Sequence, residues 1–230
     1  MKTGPQRYFD GWASKYDRDL ARYDYAVPQT VFDAMKPRLT GRPLSRMLDI
    51  GIGTGLCSAI FRLNFPDLHI TGIDVSQNMI DACRNKGLAD RLYRLDAVDG
   101  VLPPGPYEGI VAAGVLEFMD HADDLIEGIA RHLASGGYAA LAFETPATVG
   151  LYRGGLFSGV TGRNHACVAI RRVQTVLPIP HVYTKYLHSP VHVTQLCRNA
   201  GLEVVETTQF VAYVRGNGDV VTHDLMIIRK

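Results

Sequence analysis

The stretch MLDIGIGTG, which runs from Met47 to Gly55, decides the fold of this chain. Its first four residues are mostly apolar and suit a buried strand, its glycines form a tight turn, and a segment with helical spacing begins at Leu56. A strand, a glycine turn and a helix in this order open a doubly wound α/β sheet, in which ligands bind at the carboxyl ends of the strands. The sequence therefore predicts a Rossmann-like fold with a binding site at this turn.

The spacing and the charge around the turn argue against a bound pyrophosphate. The last glycine of the dinucleotide pattern G-x-G-x-x-G would fall on Leu56 or Ser58. Asp49 comes just before the turn, where a carboxylate would repel phosphates at the helix N-terminus. Asp74 ends the next predicted strand, about twenty residues beyond the glycines, where nucleotide sites hold a carboxylate for ribose hydroxyls. The two acids favour S-adenosylmethionine (SAM), which carries a sulfonium and an ammonium and no phosphate. The competing interpretation is that both acids only cap helices.

At these residues the sequence resembles the class I SAM-dependent methyltransferases, and it is most similar to small-molecule enzymes with an N-terminal lid. The segments that carry the resemblance, in family order, are Phe9–Asp17 (FDGWASKYD), Leu48–Gly55, Gly72–Ile80, Leu95–Ala97, Gly114–Met119 and Leu133–Pro146. The resemblance implies a seven-stranded, mostly parallel sheet with an antiparallel C-terminal strand pair, helices on both faces and an N-terminal helical lid. It implies a single domain over 1–230, with the lid at 1–40 and an acceptor-side insertion at 145–190.

The resemblance also implies a cofactor site for SAM. The implied cofactor-binding residues are Tyr8, Tyr16, Asp49, Gly51, Gly53, Gly55, Asp74, Val75, Met79, Asp96, Ala97, Ala113 and Leu116. The two tyrosines would belong to the lid, Asp74 would bind the ribose, and Val75 and Met79 would pack on the adenine. Asp96 would accept a hydrogen bond from the adenine amine. The alternatives are that the aromatic residues only dock a helix, that Met79 is a core residue and that Asp96 is a solvated loop residue.

Composition limits the range of partners and compartments. The chain has 230 residues and a formal net charge of +1, which gives no electrostatic case for a nucleic-acid partner. Its four cysteines have no C-x-x-C spacing, so they predict neither a metal site nor a disulfide framework and suit a reducing compartment. No apolar run has transmembrane length, and no signal peptide is recognised. We expect a cytoplasmic monomer or homodimer without a metal and without a membrane partner.

The acceptor half of the sequence is less informative. Residues 145–202 contain no Asp or Glu but several Arg, Lys and His residues. One hypothesis is that the acceptor carries a carboxylate or phosphate, held by one or two of the arginines of this stretch: Arg153, Arg163, Arg171, Arg172 and Arg198. The alternative is that these cations pair with surface acids. The catalytic base is unknown, and the weak candidates are His121, Tyr152, His181 and Tyr186.

The sequence therefore predicts methyl transfer from SAM to a small-molecule acceptor. An Asn/Asp-Pro-Pro-Tyr box, which is typical of enzymes that act on base amines, does not follow the fourth predicted strand. Two alternatives stay open on the same fold. One is a SAM-consuming lyase or cyclase that releases methylthioadenosine, and the other is a non-catalytic SAM-binding protein.

Overall fold

The structure is a computed structural model that describes residues 4–41, 45–152, 158–163, 167–176 and 179–230. Within these ranges the chain forms ten strands and seven α-helices. The strands are β1 (Arg46–Ile50), β2 (His69–Asp74), β3 (Arg91–Arg94), β4 (Tyr107–Ala113), β5 (Leu133–Glu144), β6 (Ser158–Arg163), β7 (Cys167–Val176), β8 (Ile179–His188), β9 (Glu203–Val214) and β10 (Val220–Arg229). The helices are α1 (Gly4–Trp12), α2 (Tyr16–Ala21), α3 (Val27–Leu39), α4 (Leu56–Asn64), α5 (Gln77–Asn85), α6 (Asp123–His132) and α7 (Pro190–Asn199).

Seven strands form the main sheet, in the order β3-β2-β1-β4-β5-β10-β9. The first five strands along the chain pair in parallel, whereas β10 pairs antiparallel with both β5 and β9. This arrangement confirms the predicted seven-stranded, mostly parallel sheet with an antiparallel C-terminal pair. The strand order reverses next to β1, so the ends of β1 and β4 flank the crevice in which such sheets bind ligands.

The two faces of the sheet bury alternate residues of each strand, as period-two geometry requires. Met47 of β1 belongs to the apolar cluster under α3 and α4, which includes Phe32 and Phe61. Its neighbour Leu48 belongs to the cluster on the opposite face, which includes Ile126 of α6. Helices therefore cover both faces, and the central strands are apolar on both sides.

Local sequence signals fix the starts of two helices near the functional end of the sheet. The Ser76 side chain accepts a hydrogen bond from the backbone N–H of Met79, which caps α5. The Ser189 side chain accepts one from the N–H of His192, and Pro190 occupies the first turn of α7. The cap of α5 directly follows the predicted ribose acid, so it also fixes the backbone beside that carboxylate.

A second, three-stranded antiparallel sheet occurs within the predicted acceptor-side insertion. Its order is β6-β7-β8, and it has a small core formed by Tyr152, Val168, Ile170 and Leu187. The sequence analysis predicted no strands there, so this sheet is an addition to the predicted fold. In the part of the chain that the structure describes, no helix is long and apolar enough to cross a membrane.

Candidate functional site

The glycine turn between β1 and α4 lies against the carboxyl ends of the neighbouring strands. Gly51, Gly53 and Gly55 all have positive φ, at 68°, 55° and 90°, a conformation that costs other residues energy. A Cβ on Gly51 would lie 2.5 Å from Cγ2 of Val115, which follows β4. The turn therefore needs glycine at this position for its backbone conformation and for the close approach of the β4 end.

Asp74 connects this turn to the start of α5. One carboxylate oxygen accepts a hydrogen bond from the N–H of Gly53 at 2.9 Å, and the other accepts one from the N–H of Ser76 at 2.8 Å. Burial raises the pKa of Asp74 to about 6, although these two hydrogen bonds oppose the rise. A buried carboxylate is thus held at the end of β2 by the backbone on either side of it.

Unlike Asp74, Asp49 lies beneath the glycine turn. Its Oδ2 accepts a hydrogen bond from Oγ of Ser58 at 2.6 Å, and its exposed fraction is 2%. Burial raises the pKa of Asp49 to about 7. The two predicted acids are therefore close in the fold but differ in surroundings, and Asp74 is the one that borders a cavity.

The first cavity, of about 270 Å³, lies at the carboxyl ends of β1, β2 and β4. Nine of the thirteen predicted cofactor-binding residues line it: Tyr16, Gly51, Gly53, Asp74, Val75, Met79, Asp96, Ala97 and Ala113. Tyr8 lines a neighbouring cavity, whereas Asp49, Gly55 and Leu116 line neither. Further lining residues that the sequence analysis did not assign are Pro5, Phe9, Ile73, Leu95, Val98, Gly114, Val115, Phe118 and Met119. Phe9 and Phe118 lie in segments that carried the family resemblance. The resemblance was therefore the signal by which these two residues could have been predicted.

The N-terminal helices α1 and α2 cross over this cavity. The carboxylate of Asp10 accepts a hydrogen bond from Oγ of Ser76 at 2.7 Å, and the backbone carbonyl of Asp10 accepts one from the Asn78 side chain at 2.9 Å. Asp17 forms an ion pair with Lys86 and accepts a hydrogen bond from Thr54 of the glycine turn. These contacts join the covering segment to α5 and to the glycine turn.

A second cavity, of about 470 Å³, adjoins the first. The two share the lining residues Phe9, Tyr16, Gly114 and Phe118. The other aromatic residues of its wall are Tyr8, Trp12, Tyr23, Tyr25, Tyr183 and Tyr213, and its charged or titratable ones are Glu117, Arg172, Lys185, Arg215 and His223. Space for a ligand thus continues from the glycine turn towards the three-stranded sheet.

Two titratable residues of the second cavity were not assigned by the sequence analysis. Glu117 is 2% exposed, its Oε1 accepts a hydrogen bond from the N–H of Glu144 at 2.8 Å, and burial raises its pKa to about 7. His223 is 4% exposed, and burial lowers its pKa to about 3, so its imidazole is neutral near pH 7. Glu117 is therefore able to exchange a proton near neutral pH, whereas His223 is too weak a base to hold one. They are 106 positions apart in the sequence, which is why no local pattern links them.

Of the four weak catalytic candidates, three do not line either cavity, and the side chain of the fourth lies outside the described part of the chain. His121 is exposed, and neither His121 nor Tyr186 lines a cavity given above. The Tyr152 hydroxyl donates to Oε1 of Glu144 at 2.6 Å, and burial raises the pKa of Tyr152 to about 12. The backbone of His181 belongs to β8, but its side chain lies outside the described part of the chain, as does Arg153.

Comparisons with known proteins agree with this fold. A solved SAM-dependent methyltransferase from Clostridium acetobutylicum ATCC 824 superposes with a TM-score of 0.68 at 13% identity, covering 94% of this chain and 98% of that one. The strand order together with this match defines the class: the fold is that of the class I SAM-dependent methyltransferases. The family described as "Methyltransferase domain" matches residues 48–139. This match covers less than half of the chain, and it agrees with the resemblance seen in the sequence.

Two curated relatives carry methyltransferase names. The chain is 34% identical over 113 residues to "Methyltransferase-like protein 27" of Homo sapiens, a match that covers 47% of this chain and 45% of the relative. It is 28% identical over 191 residues to "Trans-aconitate 2-methyltransferase" of Sinorhizobium fredii, covering 76% of this chain and 69% of the relative. The chain spans about half or less of the length of the first curated relatives that it matches.

Proposed function

We propose that this chain binds SAM and transfers its methyl group to a small-molecule acceptor. The observation that carries the proposal is the buried carboxylate of Asp74, held between the glycine turn and α5 in the wall of a cavity. That cavity opens towards a second one of a size suited to an acceptor. The methyltransferase names of the relatives support the same activity.

The residues of the first cavity fit the parts of SAM. Asp74 would accept hydrogen bonds from the ribose hydroxyls, because its carboxylate borders the cavity at the end of β2. Val75 and Met79 would pack on the adenine, and Asp96 would accept from its amine. Gly51 and Gly53 line the cavity without side chains, so the methionine end of the cofactor would approach the backbone of the turn closely.

When bound, SAM supplies a methyl group on an electrophilic sulfonium, and the protein supplies position and a dry environment. The aromatic residues shared by both cavities would exclude water from the space between cofactor and acceptor. An acceptor held in the second cavity would then gain from proximity and orientation, the main source of rate in such a transfer. For an acceptor that must lose a proton, Glu117 is the group of this wall that would accept it, because its pKa of about 7 suits a general base near neutral pH.

The remaining predictions on organisation are part of the same proposal. We propose one domain over 1–230, in which residues 145–190 form the acceptor side. Within the predicted lid of residues 1–40, we assign the lid to α1 and α2, because α3 packs in the core against the sheet. The contacts of Asp10 and Asp17 with the glycine turn and α5 support the lid. The cytoplasmic location, the small-molecule partner and the monomeric or homodimeric state remain predictions.

Asp74 provides the test of cofactor binding. In an Asp74→Asn variant we expect S-adenosylhomocysteine to bind roughly 10- to 100-fold more weakly, the cost of losing hydrogen bonds to a charged group. Isothermal titration calorimetry measures this affinity, with circular dichroism as the check on folding. Asp81→Asn is the matched control, since Asp81 lies on α5 but pairs on the surface with Arg84. Wild-type protein that binds NAD and ignores S-adenosylhomocysteine would rule the proposal out.

The lyase alternative has its own test, because it needs no acceptor. The protein is incubated with radiolabelled SAM alone, and the products are separated by chromatography. We expect SAM to stay intact under these conditions, since methyl transfer requires a second substrate. Accumulation of methylthioadenosine would favour the lyase over methyl transfer.

A further inference from the structure

Three cationic side chains line the second cavity, and they differ in the acidic partners that the protein provides for them. Lys185 of β8 forms a buried ion pair with Glu144. Arg215, in the turn after β9, lies 3.7 Å from the carboxylate of Asp219. Arg172 of β7 forms no ion pair with any residue that the structure describes. Positive charge therefore remains in this wall without an internal partner.

The two arginines share one aromatic neighbour. The guanidinium carbon of Arg172 lies 5.1 Å from the centre of the Tyr152 ring, and that of Arg215 lies 5.0 Å from the same centre. The ring is itself fixed, because the Tyr152 hydroxyl donates to the buried carboxylate of Glu144. Tyr152 thus serves as a rigid platform that orients both guanidinium groups.

The other titratable groups of the cavity offset only part of this positive charge. His223 is neutral near pH 7, and Glu117 is the carboxyl group in the wall, with a pKa raised to about 7 by burial. The hydroxyl groups of Tyr8, Tyr183 and Tyr213 add hydrogen-bond donors to the same cavity. Guanidinium forks together with hydroxyl donors are the groups that bind carboxylate or phosphate oxygens.

We propose that Arg172 and Arg215, on the platform of Tyr152, bind an anionic group of the methyl acceptor, a carboxylate or a phosphate. The inference rests on the proposed function, since it assigns the second cavity to the acceptor. A ligand anion would balance the charge of Arg172, a half-buried arginine without an ion pair in the described part of the chain. Substrates that carry such a group would be oriented by it relative to the cofactor.

The neighbour of Arg172 provides a matched control. Arg171 is the adjacent residue of β7, so its side chain points to the opposite face of the strand, and it is exposed. Arg171 and Arg172 were both among the arginines predicted to bind an anion, and of the two it is Arg172 that lines the cavity. Arg171→Gln therefore removes one positive charge outside the cavity, and Arg172→Gln removes one positive charge inside it.

The experiment measures anion binding by calorimetry at low ionic strength, with and without saturating S-adenosylhomocysteine. Trans-aconitate is the carboxylate probe, pyrophosphate is the phosphate probe, and trimethyl trans-aconitate is the neutral counterpart. We expect the wild type to bind at least one anion but not the ester. We expect Arg172→Gln and Arg215→Gln to weaken that binding about 10-fold or more, and Arg171→Gln to leave it unchanged. The anion that binds identifies the class of acceptor group.

Two results would overturn the inference: absence of binding of both anions to the wild type, or equal losses in Arg172→Gln and Arg171→Gln. S-adenosylhomocysteine affinity is measured for every variant and should stay within twofold of the wild type, because neither arginine lines the first cavity. If the wild type does not bind S-adenosylhomocysteine, the proposed function is refuted instead. The titration without S-adenosylhomocysteine then still decides whether the arginines bind an anion.

Discussion

At the scale of single residues, the site depends on backbone conformations that only glycine adopts readily. It also depends on buried acids that form no ion pair with any residue the structure describes. Asp49, Asp74 and Glu117 all have pKa values raised by burial, to about 7, 6 and 7. Each of these carboxyl groups is easier to protonate in the folded chain than in water. A cationic ligand near them would favour their charged forms.

The turn glycine Gly51 carries the first prediction at this scale. Gly51→Ala adds a Cβ that meets the stiff side chain of Val115 at 2.5 Å, in a residue with a φ of 68°. Gly87→Ala is the matched control, because Gly87 has a φ of 65° and nothing within 4 Å of an added Cβ. We expect the free energy of unfolding to fall by about 1–2 kcal/mol in both variants because of the positive φ. In Gly51→Ala we expect it to fall by about 1–3 kcal/mol more because of the collision with Val115.

Urea unfolding measures these free energies, and calorimetry with S-adenosylhomocysteine measures the effect on the site. Gly51→Ala should also lose cofactor affinity, whereas Gly87→Ala should retain it. Equal unfolding free energies and equal affinities for the two variants would show that the close approach of Val115 has no energetic role.

At the scale of elements, the three-stranded sheet is joined to the main sheet by one buried ion pair. Lys185 of β8 pairs with Glu144 at the end of β5, and the Glu144 side chain has no exposed area. Thr148 and Tyr152 also donate to Oε1 of Glu144, each at 2.6 Å. Burial alone would raise the pKa of Glu144, but Lys185 and these hydrogen bonds hold it at about 2.

Lys185→Met carries the prediction for this junction. It leaves a buried carboxylate without its cation, so we expect a loss of about 3–5 kcal/mol in the free energy of unfolding. The double variant Lys185→Met/Glu144→Gln removes both charges and should recover a large part of that loss. Urea unfolding of the wild type, both single variants and the double variant gives the coupling energy.

The same pair has a defined pH dependence. The folded pKa of Glu144 lies below its unfolded value of 4.5, so its contribution to stability is present above pH 4.5 and is lost as the pH falls towards 2. The stability difference between wild type and Lys185→Met should therefore shrink on acidification below about pH 4.5. A difference that stays constant from pH 7 to pH 3 would contradict the assignment of this shift to the ion pair.

At the scale of the whole molecule, the N-terminal segment connects the cofactor side to the acceptor side. Asp10 and Asp17 attach it to α5 and the glycine turn. At the other side the Tyr8 ring lies 4.7 Å from that of Tyr183 in β8, and the Phe9 ring lies 5.1 Å from that of Phe118. One segment thus covers both cavities and contacts elements from both halves of the chain.

These attachments predict that the segment controls ligand exchange. In Asp10→Ala/Asp17→Ala we expect S-adenosylhomocysteine to dissociate about 10-fold faster, because two polar attachments of the cover are lost. Stopped-flow displacement measures the dissociation rate. Asp33→Ala is the control, since Asp33 lies on α3 and accepts an exposed hydrogen bond from Gln29. Unchanged dissociation in the double variant would argue that the segment is a fixed part of the fold.

The sequence by itself determined the fold and most of the cofactor side. Met47–Gly55 and Asp74 follow one another along the chain as strand, turn, helix and strand, so local periodicity and turn chemistry were enough to predict their arrangement. The resemblance to the methyltransferases implied the other cofactor-side residues, and nine of the thirteen residues in the full set line the first cavity. Asp49 was predicted with them, but its position beneath the turn depends on Ser58 and on burial, which spacing does not express.

Only the tertiary structure decided the acceptor side. Arg172 faces the cavity and Arg171 faces solvent because β7 is a strand, and the sequence offered no strand pattern in that segment. Glu117, Arg172 and His223 come together from three distant parts of the chain. Their meeting is a result of long-range packing between two sheets and the N-terminal helices, and such contacts leave no signal in the local order of residues.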